Sequence, residues 1–213
     1  MNFVRLENHM ELFKDCFVYD DFISDKDFKA LATAVLDNKH HAPFRWDYSP
    51  EVVGEQDVMC DELDHYQLSN TMYFMHAKEY WDKDKGKRPQ AYKTSHFPLL
   101  FPIFDNPKLK FGVPMRVKAN LNLRTKEIVR HGFHCDNPLK MAHTAIFYMN
   151  DCNGYTEFEK TGDKCYSKAN RLCVFPTQTR HSGTTCTDQK RRVVININFL
   201  PDNQDGTDPR ARG

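Results

Sequence analysis

His134 and Asp136 stand two residues apart in VRHGFHCD (129–136), a run that reads as a β-strand, so both side chains project from one face and could bind one metal ion. A third ligand must come from elsewhere, and His181 fits: it stands in TRHSGTT, after Phe175-Pro176 and ahead of the last long strand-like run. Two imidazoles and a carboxylate on one side of a metal leave the opposite positions open, the arrangement of non-haem Fe(II) centres that use O2. The triplet alone carries little weight. With 10 histidines and 20 aspartates in 213 residues, about one His-x-Asp is expected by chance. His9-Met10-Glu11 has the same shape, but it reads as helix or irregular chain far from any strand-rich block and is set aside. Cys135 alternates to the other face and is expected to fill core. The remaining histidines (40, 41, 65, 76, 96, 131, 143) are read as ordinary surface or core residues.

The last strand-like run adds independent weight. An iron oxygenase of this type must also hold a 2-oxoacid co-substrate, whose distal carboxylate wants a buried cation. RRVVININFL (191–200) begins with two arginines that alternation separates. Val193, Ile195, Ile197 and Phe199 share the face of Arg191 and belong against a hydrophobic layer. Val194, Asn196 and Asn198 share the face of Arg192 and suit a polar cavity. Arg192 is therefore expected to point into the metal cavity, and Arg191 outward.

These residues need a scaffold, and the second half of the chain provides its pattern. MRVKANLNLR (115–124), HTAIFYMN (143–150), GYTEFE (154–159), NRLCVFPT (170–177) and 191–200 are β-branched and aromatic runs. With 129–136 and 180–185 they make seven candidate strands without a helical interruption, which predicts a sandwich or barrel. The first half is mixed. CFVYDDFIS (16–24) alternates like a strand, and Ser24 then caps a helix whose Phe28, Leu31, Ala32 and Val35 form one apolar face. Residues 43–66 read as loop and short strands, 67–81 as strand or helix, and 82–90 as a solvated turn. SHFPLLFPIF (95–104) reads as a short buried helix entered at its prolines.

HCDNP, IFYMN, NGYTEF, His181 and RRVVININF together resemble the catalytic core of the 2-oxoglutarate/Fe(II)-dependent dioxygenases, in the prolyl 4-hydroxylase-like branch. The layout is similar over roughly 16–200, with specific motifs from about 115 to 199. The resemblance implies an α+β, mainly β fold: a double-stranded β-helix (jelly-roll) core with N-terminal helices packed on one outer face. One catalytic domain is expected over 1–213, with about 1–112 supporting the core, 113–200 forming it, and 201–213 a polar tail. His134, Asp136 and His181 match the family's metal ligands, and Arg192 its basic residue for the distal carboxylate. Tyr148 falls where the prolyl hydroxylases bind that same carboxylate. The family's tyrosine on the strand before the first histidine is replaced here, so Asn120 or Asn122 would have to serve. The expected co-substrate contacts are thus Arg192, Tyr148, Asn122 and Asn196. Asn153-Gly154 stands where many members carry Gly-Gly. The implied cofactors are Fe(II), 2-oxoglutarate and O2, with ascorbate as reductant, and the implied products are succinate and CO2.

Composition narrows the partners. Net charge of +1 supplies no global field for nucleic acid or membrane, despite the local basic patch DKDKGKRPQAYK, and no apolar run approaches the ~18 residues that span a bilayer. A nucleic-acid demethylase is therefore disfavoured. Seven cysteines without Cys-x-x-Cys spacing suggest reduced thiols and a cytoplasmic location. A peptide or protein containing proline is the expected substrate, with Phe44, Trp46 and Tyr48 as candidate aromatics beside the opening. The same chemistry on a free amino acid or small metabolite is the alternative. A cupin-like protein that binds metal without catalysis would have no use for a buried carboxylate clamp.

Overall fold

Runs rich in β-branched and aromatic residues build two antiparallel sheets, a mainly β architecture with few helices. The computed structural model describes residues 9–37, 42–75 and 91–202. The larger sheet runs β1 (Met10–Phe13), β2 (Cys16–Tyr19), β10 (Arg171–Pro176), β7 (His143–Tyr148), β12 (Arg191–Pro201), β6 (Phe111–Leu123), β4 (Gln67–Met75) and β3 (Asp47–Ser49). A short β5 (Ala91–Lys93) also pairs with β4. The smaller sheet is β11 (His181–Gly183), β8 (Tyr155–Phe158) and β9 (Lys164–Tyr166). Isolated bridges Arg130–Thr184 and His134–His181 lay residues 130–134 alongside β11. From β6 onward the chain therefore crosses repeatedly between the sheets, which is consistent with a jelly-roll core.

Alternation decides what each face of the larger sheet carries. Val117, Ala119 and Leu121 of β6 and Val193, Ile195, Ile197 and Phe199 of β12 join one buried cluster. Leu31 and Val35 from the helix α1 (Asp25–Val35) belong to it, as do Phe97, Leu100 and Ile103 from the 3₁₀ turn Phe97–Leu100 and the helical turn α2 (Phe101–Phe104). Phe28 of α1 meets Phe147 at 6.1 Å between ring centroids, and the Ser24 hydroxyl accepts from the Asp27 amide to cap the helix. Each such large side chain removed from water contributes about 1.5–3 kcal/mol, so this layer fixes the sheet that carries the site. A second cluster, including Ile146, Tyr148, Phe158, Phe175 and Val194, fills part of the opposite face. The rest of that face is polar.

Several expectations are corrected. Residues 129–136 touch β11 only at isolated bridges and form no continuous strand. Gly132 sits at φ +147°, where a Cβ would lie 1.9 Å from the Asp57 carbonyl oxygen, so the backbone leaves the extended path there. Cys135 is consequently exposed rather than core, its thiol donating to the Gln178 carbonyl at 3.0 Å. Met10–Phe13, read as helix or irregular, is a strand: Asp15 at φ 66° turns the chain so that β1 pairs with β2. That places His9-Met10-Glu11 at the sheet's edge, with the His9 ring against Phe17. Phe44 and Trp46 pack with the helix-side cluster and line neither described cavity, while Tyr48 is exposed. The ambiguous 67–81 run is β4 as far as Met75; 76–81, the 82–90 turn, His40, His41, His76 and tail residues 203–213 lie outside the described residues. None of the described helices is long and apolar enough to cross a membrane.

Candidate metal centre

His134 and His181 face each other across an antiparallel bridge, each amide donating to the other's carbonyl at 3.0 Å. Their rings are 4.7 Å apart between centroids. Asp136 follows, its amide held by the Thr177 carbonyl at 3.3 Å. His181 Nε2 is 3.6 Å from Asp136 Oδ2, and His134 Nε2 is 3.9 Å from Oδ1. One ligand atom from each of the three lies within 4.8 Å of the others, and no other such group exists among the described residues.

Hydrogen bonding and charge prepare these groups as ligands. His181 Nδ1 lies 2.9 Å from the Thr179 carbonyl and His134 Nδ1 3.4 Å from that of Gly132. An Nδ1–H held there leaves the Nε2 lone pair free for a metal. Burial, then the neighbouring His181, push the His134 pKa down against the opposing pull of Asp136, which favours the neutral ligand form. Burial alone would raise the Asp136 carboxyl. The charges of His181, Arg116 and His134 and the Asn196 amide outweigh it and bring the pKa to about 2. A closed ring of bonds fixes that carboxylate: Thr144 donates to Oδ2 at 2.8 Å, Asn198 to Thr144 at 3.1 Å and to Asn196 Oδ1 at 3.2 Å, and Asn196 to the carboxylate at 3.1 Å. Arg116 donates to Oδ1 at 3.2 Å.

All three residues line one cavity of about 600 Å³ on the polar face of the larger sheet. Arg116, Lys118, Asn120 and Asn122 line it from β6, and Arg192, Val194 and Asn196 from β12. Arg192 is 3% exposed and has no carboxylate partner among the described residues. Its guanidinium donates to Ser167 Oγ at 2.8 Å, Thr156 Oγ1 at 3.1 Å and the Thr184 carbonyl at 3.4 Å, and lies 5.6 Å from the Tyr148 ring centroid. Gly154 permits this placement: a Cβ there would lie 2.6 Å from Arg192 Cδ. Arg191 points the other way and donates to the Leu36 carbonyl at the end of α1. Four of the wall residues hold buried polar atoms without a partner among the described residues: Arg116 Nε, Asn120 Oδ1, Asn122 Oδ1 and His131 Nε2. Such atoms carry the cost of an unmade hydrogen bond.

The remaining expected contacts are placed differently from one another. Tyr148 is fully buried among apolar neighbours and does not line the cavity; its hydroxyl donates to Thr156 at 2.9 Å, behind the arginine. Asn196 lines the cavity but is engaged with Asp136. Asn122 donates to the Thr184 carbonyl at 3.2 Å, and its side-chain oxygen is buried without a partner among the described residues. Sequence reasoning missed Arg116, Lys118, Thr144 and Thr156. The alternation used for the last strand would have found the first two, because 116, 118, 120 and 122 are polar while 117, 119 and 121 are apolar.

No protein-family profile matches the chain, and no curated protein sequence matches it. Solved structures do. A 2OG-Fe(II) oxygenase-family oxidoreductase from Burkholderia pseudomallei is 13% identical, with a TM-score of 0.55 over 88% of this chain and 86% of that one. The chain shares the fold of these oxygenases. A prolyl hydroxylase from Trichoplax adhaerens, solved with a peptide fragment of hypoxia-inducible factor, is 11% identical, with a TM-score of 0.55 over 88% of this chain and 84% of that one. The non-haem α-ketoglutarate-dependent epimerase SnoN of nogalamycin biosynthesis is 10% identical, with a TM-score of 0.50 over 88% and 76%. The oxygenase fold thus accommodates both a hydroxylase and an epimerase, so substrate must be argued from this chain's own walls.

Proposed function

We propose that the chain is an Fe(II)- and 2-oxoglutarate-dependent dioxygenase that hydroxylates a prolyl residue of a peptide or protein, releasing succinate and CO2. One observation carries the reading: the His134–Asp136–His181 cluster shares a single cavity with Arg192, a buried guanidinium lacking an acidic partner among the described residues. Burying an unpaired charge costs several kcal/mol, so such an arginine is best understood as an anion site. The donor set suits Fe(II): two imidazoles with free Nε2 atoms and an ionised carboxylate, grouped on one side. Fe(II) held there would supply O2 activation, with 2-oxoglutarate giving two electrons as it is decarboxylated.

The protein's own part is to bind and orient. His134, Asp136 and His181 hold the metal, while Thr144, Asn196 and Asn198 hold the carboxylate in place. A guanidinium has five N–H donors, of which three are committed, so Arg192 keeps two for the distal carboxylate of the co-substrate. Thr156 and Ser167 set the guanidinium plane. Tyr148 acts behind it through Thr156, and Asn122 lines the same cavity. Bulky inner-face residues such as Ile146 and Val194 keep the cavity floor dry.

The fold shared with a prolyl hydroxylase that was solved with a peptide supports a peptide substrate. So does a second cavity of about 550 Å³ beside the first, lined by Phe74 and Tyr92 among others, which gives an extended chain somewhere to run. Seven unpaired cysteines suit a cytoplasmic protein. The test is mass spectrometry after incubation with Fe(II), 2-oxoglutarate, ascorbate and proline-containing peptides. Gain of one oxygen on proline, matched by succinate, is the expected result. Turnover of free proline with every peptide untouched would refute the substrate reading.

A further inference from the structure

The cations of the metal cavity are nearly all committed. Arg116 is paired with Asp136 at 3.2 Å, and Arg180 with Glu159 at 2.7 Å and Asp57 at 3.2 Å. On the reading above, Arg192 takes the co-substrate. Lys118 is the exception: its ammonium forms no hydrogen bond and no ion pair with any described residue, although the residue is half-buried. It lies on β6 between Arg116 and Asn120, on the face that carries the metal cavity. It also lines the second cavity, which it shares with Arg116, Asp47, Ser69, Asn70, Thr71, Phe74 and Tyr92. Lys118 therefore stands at the partition between the space beside the metal and the space beyond it.

We infer that the substrate carries a carboxylate next to the reacting residue and that Lys118 binds it, making Lys118 a specificity-determining residue. This rests on the proposed function, which reserves Arg192 for 2-oxoglutarate. A half-buried ammonium without an acceptor has given up part of its hydration and gains most from an anion. The polar lining favours a polar occupant in the same place: Arg116 and Asn120 flank Lys118 along the strand, and Asn70 lines the second cavity. Of the carboxylates near this wall, Asp136 acts on Lys118 only at a distance and is paired with Arg116 at 3.2 Å. Glu51 and Asp47 are both exposed, one lining each cavity, and neither forms an ion pair with Lys118. The carboxylate could be an acidic side chain adjacent to the target residue in a peptide, or the α-carboxylate of a free amino acid.

Two matched pairs distinguish these sources. One is a proline-containing hexapeptide with Glu or Gln beside the proline; the other is free L-proline or prolinamide. Binding is measured by calorimetry under nitrogen on protein loaded with Fe(II) and 2-oxoglutarate, so that no turnover occurs. The expected result is at least roughly tenfold tighter binding of the carboxylate member of one pair, lost in Lys118→Met and reversed in Lys118→Glu. Preference in the peptide pair assigns an acidic side chain, and preference in the proline pair an α-carboxylate. No preference in either pair, or a preference that survives Lys118→Met, would overturn the inference. So would Lys118→Met weakening 2-oxoglutarate binding as much as Arg192→Ala does, since the cation would then belong to the co-substrate. Failure of wild-type protein to bind 2-oxoglutarate would instead refute the proposed function, and the same pairs titrated into metal-free protein would still read the Lys118 preference.

Discussion

Replacing Arg192 by alanine separates the co-substrate reading from a purely structural one. The wild-type guanidinium spends three donors on Ser167, Thr156 and the Thr184 carbonyl and keeps two more, in a residue that lines the cavity. A charge-assisted hydrogen bond contributes about 1.5–3 kcal/mol, so losing even one to the distal carboxylate predicts roughly a 10- to 150-fold rise in the half-saturating 2-oxoglutarate concentration. Arg192→Lys should fall between, because an ammonium keeps the charge without the planar fork. The control is Arg191→Ala, which removes only a bond to the Leu36 carbonyl on the helix side. It should cost about 0.5–1.5 kcal/mol of stability and leave co-substrate dependence unchanged. Succinate formation across a 2-oxoglutarate series reads all three variants, and Fe(II) affinity measured alongside shows that the metal site survives. Equal effects from the two alanine variants, or an Arg192→Ala protein with unaltered dependence, would refute the reasoning.

Other expectations follow from single contacts. Thr144→Val removes the 2.8 Å bond to Asp136 and should weaken Fe(II) binding 10- to 100-fold by roughly the usual loss for an outer partner, as read by metal titration. Gly154→Ala places a Cβ 2.6 Å from Arg192 Cδ and 2.5 Å from the Thr185 carbonyl, so it should raise the 2-oxoglutarate requirement while sparing metal affinity. His131 is buried, and burial first, then the charges of His65, Arg192 and His134, lower its pKa to about 4 from 6.5. The unfolded chain therefore binds more protons between those values; stability of the metal-free protein should be complete above about pH 6.5 and fall by up to roughly 3 kcal/mol as pH drops towards 4. His131→Gln should flatten that part of the denaturation profile. Ile197→Ala, in the helix-side layer, should cost about 2–5 kcal/mol by chemical denaturation.

What could be read from the sequence was whatever a period of two encodes. Arg192 and Asn196 separate from Val193 and Ile197 by alternation alone, and the structure puts the first pair in the cavity wall and the second in the core. The same rule reached the polar stripe of β6 only in part, because Lys118 and Arg116 in a half-exposed strand look like ordinary solvated charges. Alternation failed where the backbone stops being a strand: Gly132 breaks the path before His134, and Cys135 turns to solvent. The pairing of His134 with His181 depends instead on a bridge between residues 47 positions apart, which no local pattern encodes. Phe44 and Trp46 illustrate the opposite error. Aromatics in a polar segment suggested a binding surface, yet they fill the space beside His96 and the helix-side cluster.

Calorimetric titration of 2-oxoglutarate under nitrogen, with and without Fe(II), into the wild-type protein and Asp136→Ala, tests most directly whether the triad and Arg192 form one site. Expected are one Fe(II) per wild-type chain, 2-oxoglutarate binding that tightens strongly once Fe(II) is present, and loss of that coupling in Asp136→Ala with the fold intact. Binding of 2-oxoglutarate with the same affinity whether or not Fe(II) is present, or undiminished Fe(II) binding by Asp136→Ala, would contradict that expectation.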